Sequence, residues 1–314
     1  MPHAEPEESL LTRVSWYYYI QGMTQEEISA KLGFSRTKIV RLLDSARKKG
    51  IVRIDVTGTY RACLEKEEQL KERYALRDAV VVPTGKDFLS SKASVGKACA
   101  QYLDHTLSKG DVFGVAWGTT LHEVGKFLAP RGDLGITVIQ LMGGLNAGEE
   151  FNPQEIVRQI AAKLGARGVW LNTPAVVANP GTKKALLADE GVKEVLARAK
   201  DCTKALLGIG DVSSTASLYV SKALSKEEMD LLVSLGAVGD IMGWHFDIDG
   251  RPVVSPISDR VISVPLADLA YIGLRVGVAC GEKKVKAFVG ALRGSHINAV
   301  VTDEATAEEI LAHP

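Results

Sequence analysis

“GMTQEEISAKLGFSRTKIVRLLDSARKKGIVRI”, residues 22–54, decides the first part of the fold. Thr24 and Glu27 have the spacing of a capping box, in which the hydroxyl covers a free backbone N–H group and the carboxylate reaches back to the cap. This spacing predicts a short helix over residues 25–32. Gly33 then permits a tight turn before a second helix. A helix, a tight turn with glycine and another helix form the helix-turn-helix pattern.

The second helix of this pattern has an apolar side and a polar side. Ser35 stands where a helix cap is expected, and Ile39, Leu42 and Leu43 recur at a spacing that turns them toward a core. The second helix of a helix-turn-helix enters the major groove of DNA with its N-terminal residues leading. We therefore predict that DNA is contacted by residues at the start and on the polar side of this helix, namely Ser35, Arg36, Thr37, Lys38 and Arg41.

Positive charge is concentrated in the same segment. Between Lys31 and Arg53, eight basic residues stand against one acid, Asp44. The phosphates of DNA explain such a local excess in a chain whose 38 Lys and Arg residues equal its 38 Asp and Glu residues. The alternative is a solvated basic face on a small helical cap. Beyond the helix, the alternating residues of “IVRIDV” (51–56) predict a strand that forms half of a wing beside the groove.

The whole chain has the composition of an ordinary soluble globular protein. Its 314 residues are 46% hydrophobic and 24% charged, and this length favours two domains. No run approaches the roughly 18 apolar residues that cross a membrane, and the acidic start “MPHAEPEESL” does not resemble a signal peptide. The four cysteines are scattered without a Cys-x-x-Cys pair, so we expect a cytoplasmic protein with reduced thiols and no metal site.

The pattern along the chain predicts three segments. Residues 1–57 form the helix-turn-helix DNA-binding domain, and residues 78–314 form a domain for effector binding and oligomerisation. The charged stretch between them, residues 58–77, predicts a linker helix. This helix either pairs with its copy in a dimer or is an ordinary surface helix.

From residue 78 onward, short apolar runs alternate with helical stretches. Buried strands are predicted at “DAVVVP” (78–83), “DVFGVAW” (111–117), “GITVIQLMGG” (135–144), “GVWLNTP” (168–174), “KALLGIG” (204–210), “AVGDIMG” (237–243), “LRVGVAC” (274–280) and “INAVVTDE” (297–304). This alternation predicts an α/β domain around a mainly parallel sheet. In “HFDIDGRPVV” (245–254), the pair Asp249-Gly250 predicts a small hairpin.

The loops after these strands hold the candidate ligand-binding residues, because open parallel sheets bind ligands at the carboxyl ends of their strands. Gly118, Thr119 and Thr120 stand between a predicted strand and a predicted helix. Glycine lets a ligand approach the backbone, and two hydroxyls with the free N–H groups of a helix start can hold an anion. The alternative is that these three residues only cap the helix.

Other strand ends add glycines and a carboxylate. Gly143 and Gly144 belong to “MGGLN”, and Asp240 stands between glycines in “GDIMG”, where a purely structural residue would more often be apolar. This set of residues suits a phosphorylated sugar or polyol, because a carboxylate accepts hydrogen bonds from the hydroxyls of such a ligand. No catalytic motif is found: Glu149 and Glu150 have the chemistry of bases, but solvated loop acids are the better interpretation.

Taken in order, these segments resemble the SorC family of bacterial transcriptional regulators, which includes DeoR, CggR and LsrR. “YYIQGMTQEEISAKLGFSRTKIVRLLDSARKKGIV” is similar to the DNA-binding segment of that family. “GVAWGTT”, “GIGD”, “GAVGDIMGWHFDIDG” and “GALRGSHINAVVTDEATAEEIL” are similar to its effector-binding domain. The resemblance covers nearly the whole chain, and these motifs in this order are more specific than any one of them.

The resemblance implies an effector domain similar to sugar-phosphate isomerases and glucosamine-phosphate deaminases, used to sense a ligand rather than to convert it. It also implies a homo-oligomer, a dimer or more commonly a tetramer, that binds operator DNA. By this resemblance, Gly118, Thr119 and Thr120 hold the phosphate, Asp240 contacts the hydroxyls of the ligand, and Lys284 supports the phosphate. No cofactor is expected.

Two functions of different classes remain open, because a fold does not fix a function. The first is a ligand-controlled transcription factor of sugar or polyol catabolism. The second is a sugar-phosphate isomerase or deaminase that carries a nucleic-acid-binding appendage. The basic helix favours the first, whereas the second needs a positioned general base that no motif supplies. We therefore predict a regulator and not an enzyme.

Overall fold

A computed structural model of the chain describes residues 6–52, 54, 58, 60–132, 134–145 and 152–314. The chain divides into two compact units, Met1–Gly58 and Thr59–Pro314. Of the six residues of the strand predicted at 51–56, residues 53, 55 and 56 lie outside the described residues, so this strand stays a prediction. None of the described helices combines the length and the apolar character that crossing a membrane requires.

The first unit is helical. It contains α1 (Glu7–Ser15), a π-helical turn (Trp16–Ile20), α2 (Gln25–Leu32) and α3 (Arg36–Lys48). The predicted capping box forms at the start of α2, because the Thr24 hydroxyl accepts from the backbone N–H of Glu27 at 3.2 Å and the Glu27 carboxylate accepts from that of Thr24 at 2.7 Å. Gly33 ends α2 with a φ of 69°, a conformation that glycine adopts without strain.

A small apolar core joins these helices. Val14, Ile28, Ile39 and Leu43 are buried together, and Leu42 packs against them at the edge. Each of the three helices contributes to this core, as the apolar spacing predicts. The two helices and the turn of the predicted helix-turn-helix are therefore confirmed.

The second unit alternates strands and helices. It contains α4 (Arg61–Tyr74), β1 (Asp78–Val82), α5 (Phe88–Thr106), β2 (Val112–Val115), α6 (Thr119–Phe127), β3 (Thr137–Gln140), α7 (Pro153–Leu164), β4 (Arg167–Val169), α8 (Pro180–Ala188), α9 (Glu190–Ala199), β5 (Lys204–Gly208), β6 (Gly210–Asp211), α10 (Ser217–Val220), α11 (Lys226–Ser234), β7 (Gly239–Ile241), β8 (Trp244–Phe246), β9 (Leu274–Val278), α12 (Val285–Arg293), β10 (Ala299–Asp303) and α13 (Glu304–Ala312). Short 3-10 turns lie at Ser258–Arg260, Leu266–Tyr271 and Glu282–Lys284.

Seven strands form one parallel sheet in the order β1-β10-β9-β5-β2-β3-β4. Parallel sheets are covered on both faces, which explains why their strands are almost continuously apolar. Phe113, Val138, Leu206 and Val276 of four neighbouring strands are fully buried. The predicted α/β fold with a mainly parallel sheet is confirmed, and the carboxyl ends of all seven strands meet at one edge.

The segment 237–243 differs from its prediction as one of the strands of the parallel sheet. Its strand β7 belongs to a separate antiparallel sheet in the order β6-β7-β8. Met242 and Gly243 have φ angles of 55° and 79°, which make a two-residue hairpin turn that returns the chain antiparallel to β7. The predicted turn at Asp249-Gly250 is also present, since the N–H of Asp247 donates to the carbonyl of Arg251 across it.

Helix α4 packs against the sheet of the second unit, to which it belongs. Its side chains Cys63 and Leu70 are buried in the main core. The carboxylate of Glu67 accepts the backbone N–H of Val81 at 2.8 Å on β1, the edge strand of the sheet. This bond occupies one of the donors that an edge strand leaves exposed. The helical part of the predicted linker, residues 58–77, therefore packs on the sheet edge.

Truncation of Leu70 tests this docking. Leu70→Ala is expected to lower the free energy of unfolding by about 2–5 kcal/mol, because it opens a cavity under α4. The matched control is Leu64→Ala on the same helix, where the side chain is 53% exposed and the expected change is within about 0.5 kcal/mol. Urea unfolding of the full chain measures both values. Equal, small effects would contradict the docking of α4.

Candidate functional site

The chain segments that follow β2 and β5 touch at the carboxyl edge of the sheet. A Cβ on Gly208 would lie 2.1 Å from the carbonyl oxygen of Trp117, and a Cβ on Gly118 would lie 3.7 Å from the Cα of Gly208. Gly118 has a φ of 142°, which also favours glycine. A side chain at position 208 would push the two strand ends apart, so glycine is needed there for the contact.

Helix α6 begins at this contact with an open N-terminus. Gly118 occupies the cap position, and no side chain in the described part of the chain caps the helix. The N–H groups of the first turn therefore keep their donor capacity for a ligand. Thr119 and Thr120 add two hydroxyls, the first half-buried and the second buried. Aligned N–H groups and the helix dipole favour an anion at this point.

Asp240, on β7, lies near the N-terminus of α6. Its partner across the small sheet is Gly210, where a Cβ would lie 1.8 Å from Oδ1 of Asp240. A larger residue at position 210 would therefore displace the carboxylate. Oδ2 accepts the backbone N–H of Gly243 at 2.9 Å. Burial raises the pKa of Asp240 to about 6, although the bond from Gly243 and the charge of Lys284 oppose that rise.

Lys284 stands on the turn after β9. Gly281 begins this turn with a φ of 101°, and its carbonyl accepts the backbone N–H of Lys284 at 2.9 Å. The ammonium group of Lys284 forms an ion pair with Asp211, with 2.6 Å between Nζ and Oδ2. Burial acts to raise the pKa of Asp211, but the charge and hydrogen bond of Lys284, together with hydrogen bonds from Ser213, outweigh it and hold this pKa below its usual value.

Gly118, Thr119, Thr120, Asp240 and Lys284 line one pocket. Its lining consists of Trp117, Gly118, Thr119, Thr120, Leu121, Gly208, Ile209, Gly210, Ser217, Leu218, Asp240, Val278, Ala279 and Lys284. Five of the seven predicted effector residues thus lie together. The neighbouring Lys283 instead donates to the hydroxyl of Thr215 at 3.0 Å. In the described ranges, no group of His, Cys, Asp and Glu has the arrangement that a metal ion requires.

Gly143 and Gly144, the other two predicted residues, are not part of this lining. A Cβ on Gly143 would lie 2.3 Å from the carbonyl oxygen of Pro174, and Gly144 forms a backbone bridge with the same residue. The close approach of two backbones explains glycine at position 143. Glu149 and Glu150, the candidate bases, lie outside the described residues.

Sequence reasoning missed two polar residues of the site, namely Ser217 in the lining and, beside the lining, Asp211. Asp211 stands at the end of “GIGD”, one of the segments that resemble the SorC effector-binding domain, but no role was assigned to this acid. The available signal was an acid directly after a buried strand, whereas its pairing with a distant lysine leaves no mark in the local sequence. His245 lies opposite Asp240 on β8, and burial lowers its pKa to about 4, so its imidazole is neutral at physiological pH.

The predicted DNA-contacting side chains lie at the surface of α3. Arg36, Thr37, Lys38 and Arg41 are exposed, and Ser35 caps the helix by accepting the N–H of Lys38 at 3.3 Å. The Lys38 ammonium lies 3.6 Å from the ring centroid of Phe34, a cation–π contact that orients it.

At the other end of α3, acids offset part of the basic charge. Lys48 pairs with Asp44 at 2.8 Å and Lys49 with Glu7 at 2.7 Å. Within the described chain, no ion pair involves Arg36 or Arg41, so free positive charge is concentrated at the leading half of the helix.

Replacement of Asp240 by asparagine is expected to stabilise the protein near neutral pH. The folded-state pKa of about 6 exceeds the 3.8 of an unperturbed aspartate, so the folded state binds the proton more tightly and loses stability as the pH rises from about 4 to 6. Asp240→Asn does not titrate and should gain up to roughly 3 kcal/mol above pH 6, with no gain near pH 4. Urea unfolding across this range measures the difference. A difference independent of pH would contradict the buried, ionised carboxylate.

Comparison with known proteins identifies relatives of the whole chain. The Sugar-bind family, described as “Putative sugar-binding domain”, matches residues 59–312. The chain is 33% identical over 304 residues to the uncharacterized transcriptional regulator YjhU of Escherichia coli (strain K12), which covers 95% of this chain and 93% of YjhU. It is 30% identical to the sorbitol operon regulator of Klebsiella pneumoniae, in an alignment that covers 96% of this chain and 97% of that protein.

A solved structure gives the same result for the fold. The crystal structure of the full-length sorbitol operon regulator SorC from Klebsiella pneumoniae matches with a TM-score of 0.76 at 29% identity, and covers 98% of this chain and 100% of that chain. These relatives are named as regulators of transcription and not as enzymes. These matches show that the chain belongs to the SorC family of sugar-binding transcriptional regulators, as the resemblance of its motifs predicted.

Proposed function

We propose that this protein binds operator DNA through α3 and that a phosphorylated sugar or polyol in the pocket controls this binding, so that the protein regulates an operon of sugar or polyol catabolism. The observation that carries the proposal is the chemistry of the pocket. An uncapped helix start, a lysine and a buried carboxylate line the same cavity. The name of a relative, the sorbitol operon regulator, agrees with this class of ligand.

The two ends of the pocket suit the two ends of such a ligand. The first-turn N–H groups of α6, the hydroxyls of Thr119 and Thr120, and the ammonium group of Lys284 provide donors for a phosphate. Asp240 is an acceptor when ionised, so it accepts hydrogen bonds from hydroxyls and repels a phosphate placed beside it. The ligand is thereby oriented with its phosphate at α6 and its hydroxyls at β7.

DNA recognition requires more than one copy of the chain. One helix-turn-helix reads only a few base pairs, and two-fold symmetric copies read half-sites separated by a helical turn or multiples of it. We therefore infer a homo-oligomer, a dimer or a tetramer, in which the second unit supplies the contacts. Operator binding places this activity in the cytoplasm of a bacterium.

Substitution of Arg36 tests the DNA-binding surface. Arg36→Ala is expected to weaken operator binding by about 1–3 kcal/mol and to relax discrimination at one base pair, if the guanidinium reads a guanine. The matched control is Lys48→Ala, since Lys48 is already paired with Asp44 at the far end of α3. Fluorescence anisotropy with an operator selected from random-sequence DNA measures both affinities. Equal affinities of the parent protein and Arg36→Ala would rule out this contact.

Substitution of Lys284 tests the phosphate end of the pocket. The two neighbouring lysines provide a matched pair, because Lys284 lines the pocket and Lys283 bonds to Thr215 outside it. Lys284→Met should weaken the best phosphorylated ligand by about 1.5–3 kcal/mol, or roughly ten- to a hundredfold, through loss of a charged hydrogen bond. Lys283→Met should bind it as the parent protein does.

Calorimetric titration with pentose, hexose and polyol phosphates and their unphosphorylated counterparts measures these affinities. Equal losses for the phosphorylated and unphosphorylated forms would argue against a phosphate at Lys284. Turnover of a sugar phosphate by the parent protein would favour the isomerase or deaminase hypothesis instead.

A further inference from the structure

Asp211 makes none of the proposed ligand contacts, yet it holds Lys284. Its side chain is 7% exposed, and that of Lys284 is 20% exposed. Oδ2 bonds to Nζ of Lys284 at 2.6 Å, and Oδ1 accepts the backbone N–H of Ser213 at 2.8 Å, so both oxygens are fixed. In the described parts of the chain, the pocket lining includes Lys284 but not Asp211. Asp211 therefore forms its ion pair with Lys284 from outside the pocket.

Asp211 and Asp240 project from opposite faces of the small antiparallel sheet. Directly opposed residues share a face, and successive residues alternate between faces. Asp240 is opposed to Gly210, so Asp211 points to the other face with Gly239. A Cβ on Gly239 would lie 2.5 Å from the Cβ of Ala287 in α12, which shows that this second face packs on α12. Asp211 thus approaches Lys284 from the side of α12, and Asp240 lies on the pocket side.

Lys284 has two carboxylates within electrostatic range and bonds to one of them. Asp240 and Lys284 line the same pocket, and Asp211, the ion-pair partner of Lys284, stands next to Gly210, which is opposed to Asp240 in the small sheet. Consistent with this placement, the charge of Lys284 lowers the pKa of Asp240 and the charge of Asp211 raises it. A half-buried ammonium group without a partner is costly, and the lysine side chain is flexible. If Asp211 were absent, the ammonium group would turn to Asp240. The two groups that the ligand needs would then neutralise each other inside the pocket.

We propose that Asp211 is a positioning residue that keeps Lys284 apart from Asp240, and so separates the anion-binding end of the pocket from its hydroxyl-binding end. This inference rests on the proposed function of the pocket. An ammonium group has three donors, so the bond to Asp211 leaves donors for an anion at the first turn of α6. The carboxylate of Asp240 then stays free to accept hydroxyls. The pocket favours ligands that carry phosphate and hydroxyl groups at different ends.

Calorimetric titration of the full chain with inorganic phosphate tests this role. Asp211→Asn is expected to weaken phosphate binding about tenfold or more, because Lys284 turns to Asp240. In the double variant Asp211→Asn/Asp240→Asn, the lysine has no second carboxylate to turn to, so phosphate affinity should return to that of Asp240→Asn alone. A merely structural role for Asp211 predicts no such rescue. Unchanged phosphate binding by Asp211→Asn, or a double variant as weak as Asp211→Asn, would overturn the proposal.

A second measurement needs no ligand. Titration of the Asp240 carboxyl by ¹³C NMR, assigned by comparison with Asp240→Asn, should show its pKa falling from about 6 when Asp211 is replaced by asparagine. Loss of the Asp211 charge contributes to this fall, and the same comparison in a Lys284→Met background measures that contribution alone. The fall must be larger when Lys284 is present, and equal falls would overturn the proposal. If the parent protein binds no phosphate, the phosphate end of the proposed function fails, while this titration still decides the role of Asp211.

Discussion

The contact between the ends of β2 and β5 is the constraint on which the pocket depends. Gly208 leaves no space for a side chain against the Trp117 carbonyl, since a Cβ would come within 2.1 Å of that oxygen. Strand β5 pairs in parallel with β2 on one side and with β9 on the other. The loop at Gly118 and the turn at Lys284 therefore flank the same strand end. Two segments far apart in sequence meet because both follow neighbours of β5.

The polar groups around this strand end cost stability. Asp240 is 3% exposed, and its raised pKa shows that burial disfavours the ionised form that would accept hydroxyls. Lys284 and Asp211 form a pair in which both groups lose most of their contact with water, and such pairs contribute little net stability. Replacement of a buried ion pair by apolar residues of similar volume often leaves the stability of a fold unchanged or increases it. Polar residues that lower the stability of a fold are expected at a ligand-binding site, because ligand binding requires them there.

The sequence predicts best what depends on neighbours in the chain. The capping box at Thr24 and Glu27 joins residues three apart, so it could be recognised directly, and the apolar runs predicted the parallel sheet. Strand β7 was misplaced because its pairing with β6 depends on long-range register and on a hairpin turn at Met242. The contact of Gly143 with Pro174 could not be predicted, because it is a long-range approach of two backbones. The pairing of Asp211 with Lys284 is long-range in the same sense, and no local pattern indicates it.

Helix α13 contacts both the turn that carries Lys284 and helix α4. The N–H of Gly281, at the start of the turn that carries the pocket lysine, donates to the hydroxyl of Thr306 in the first turn of α13 at 2.7 Å. On α13, Glu304 and Glu308 pair with Lys66 of α4 at 3.4 and 3.6 Å. Helix α4 in turn begins directly after the first unit in the chain. If ligand and DNA influence each other's binding, they do so by the same coupling free energy in both directions. The contacts of α13 thus join the pocket turn to α4 within the second unit, two elements that lie more than 200 residues apart in the sequence.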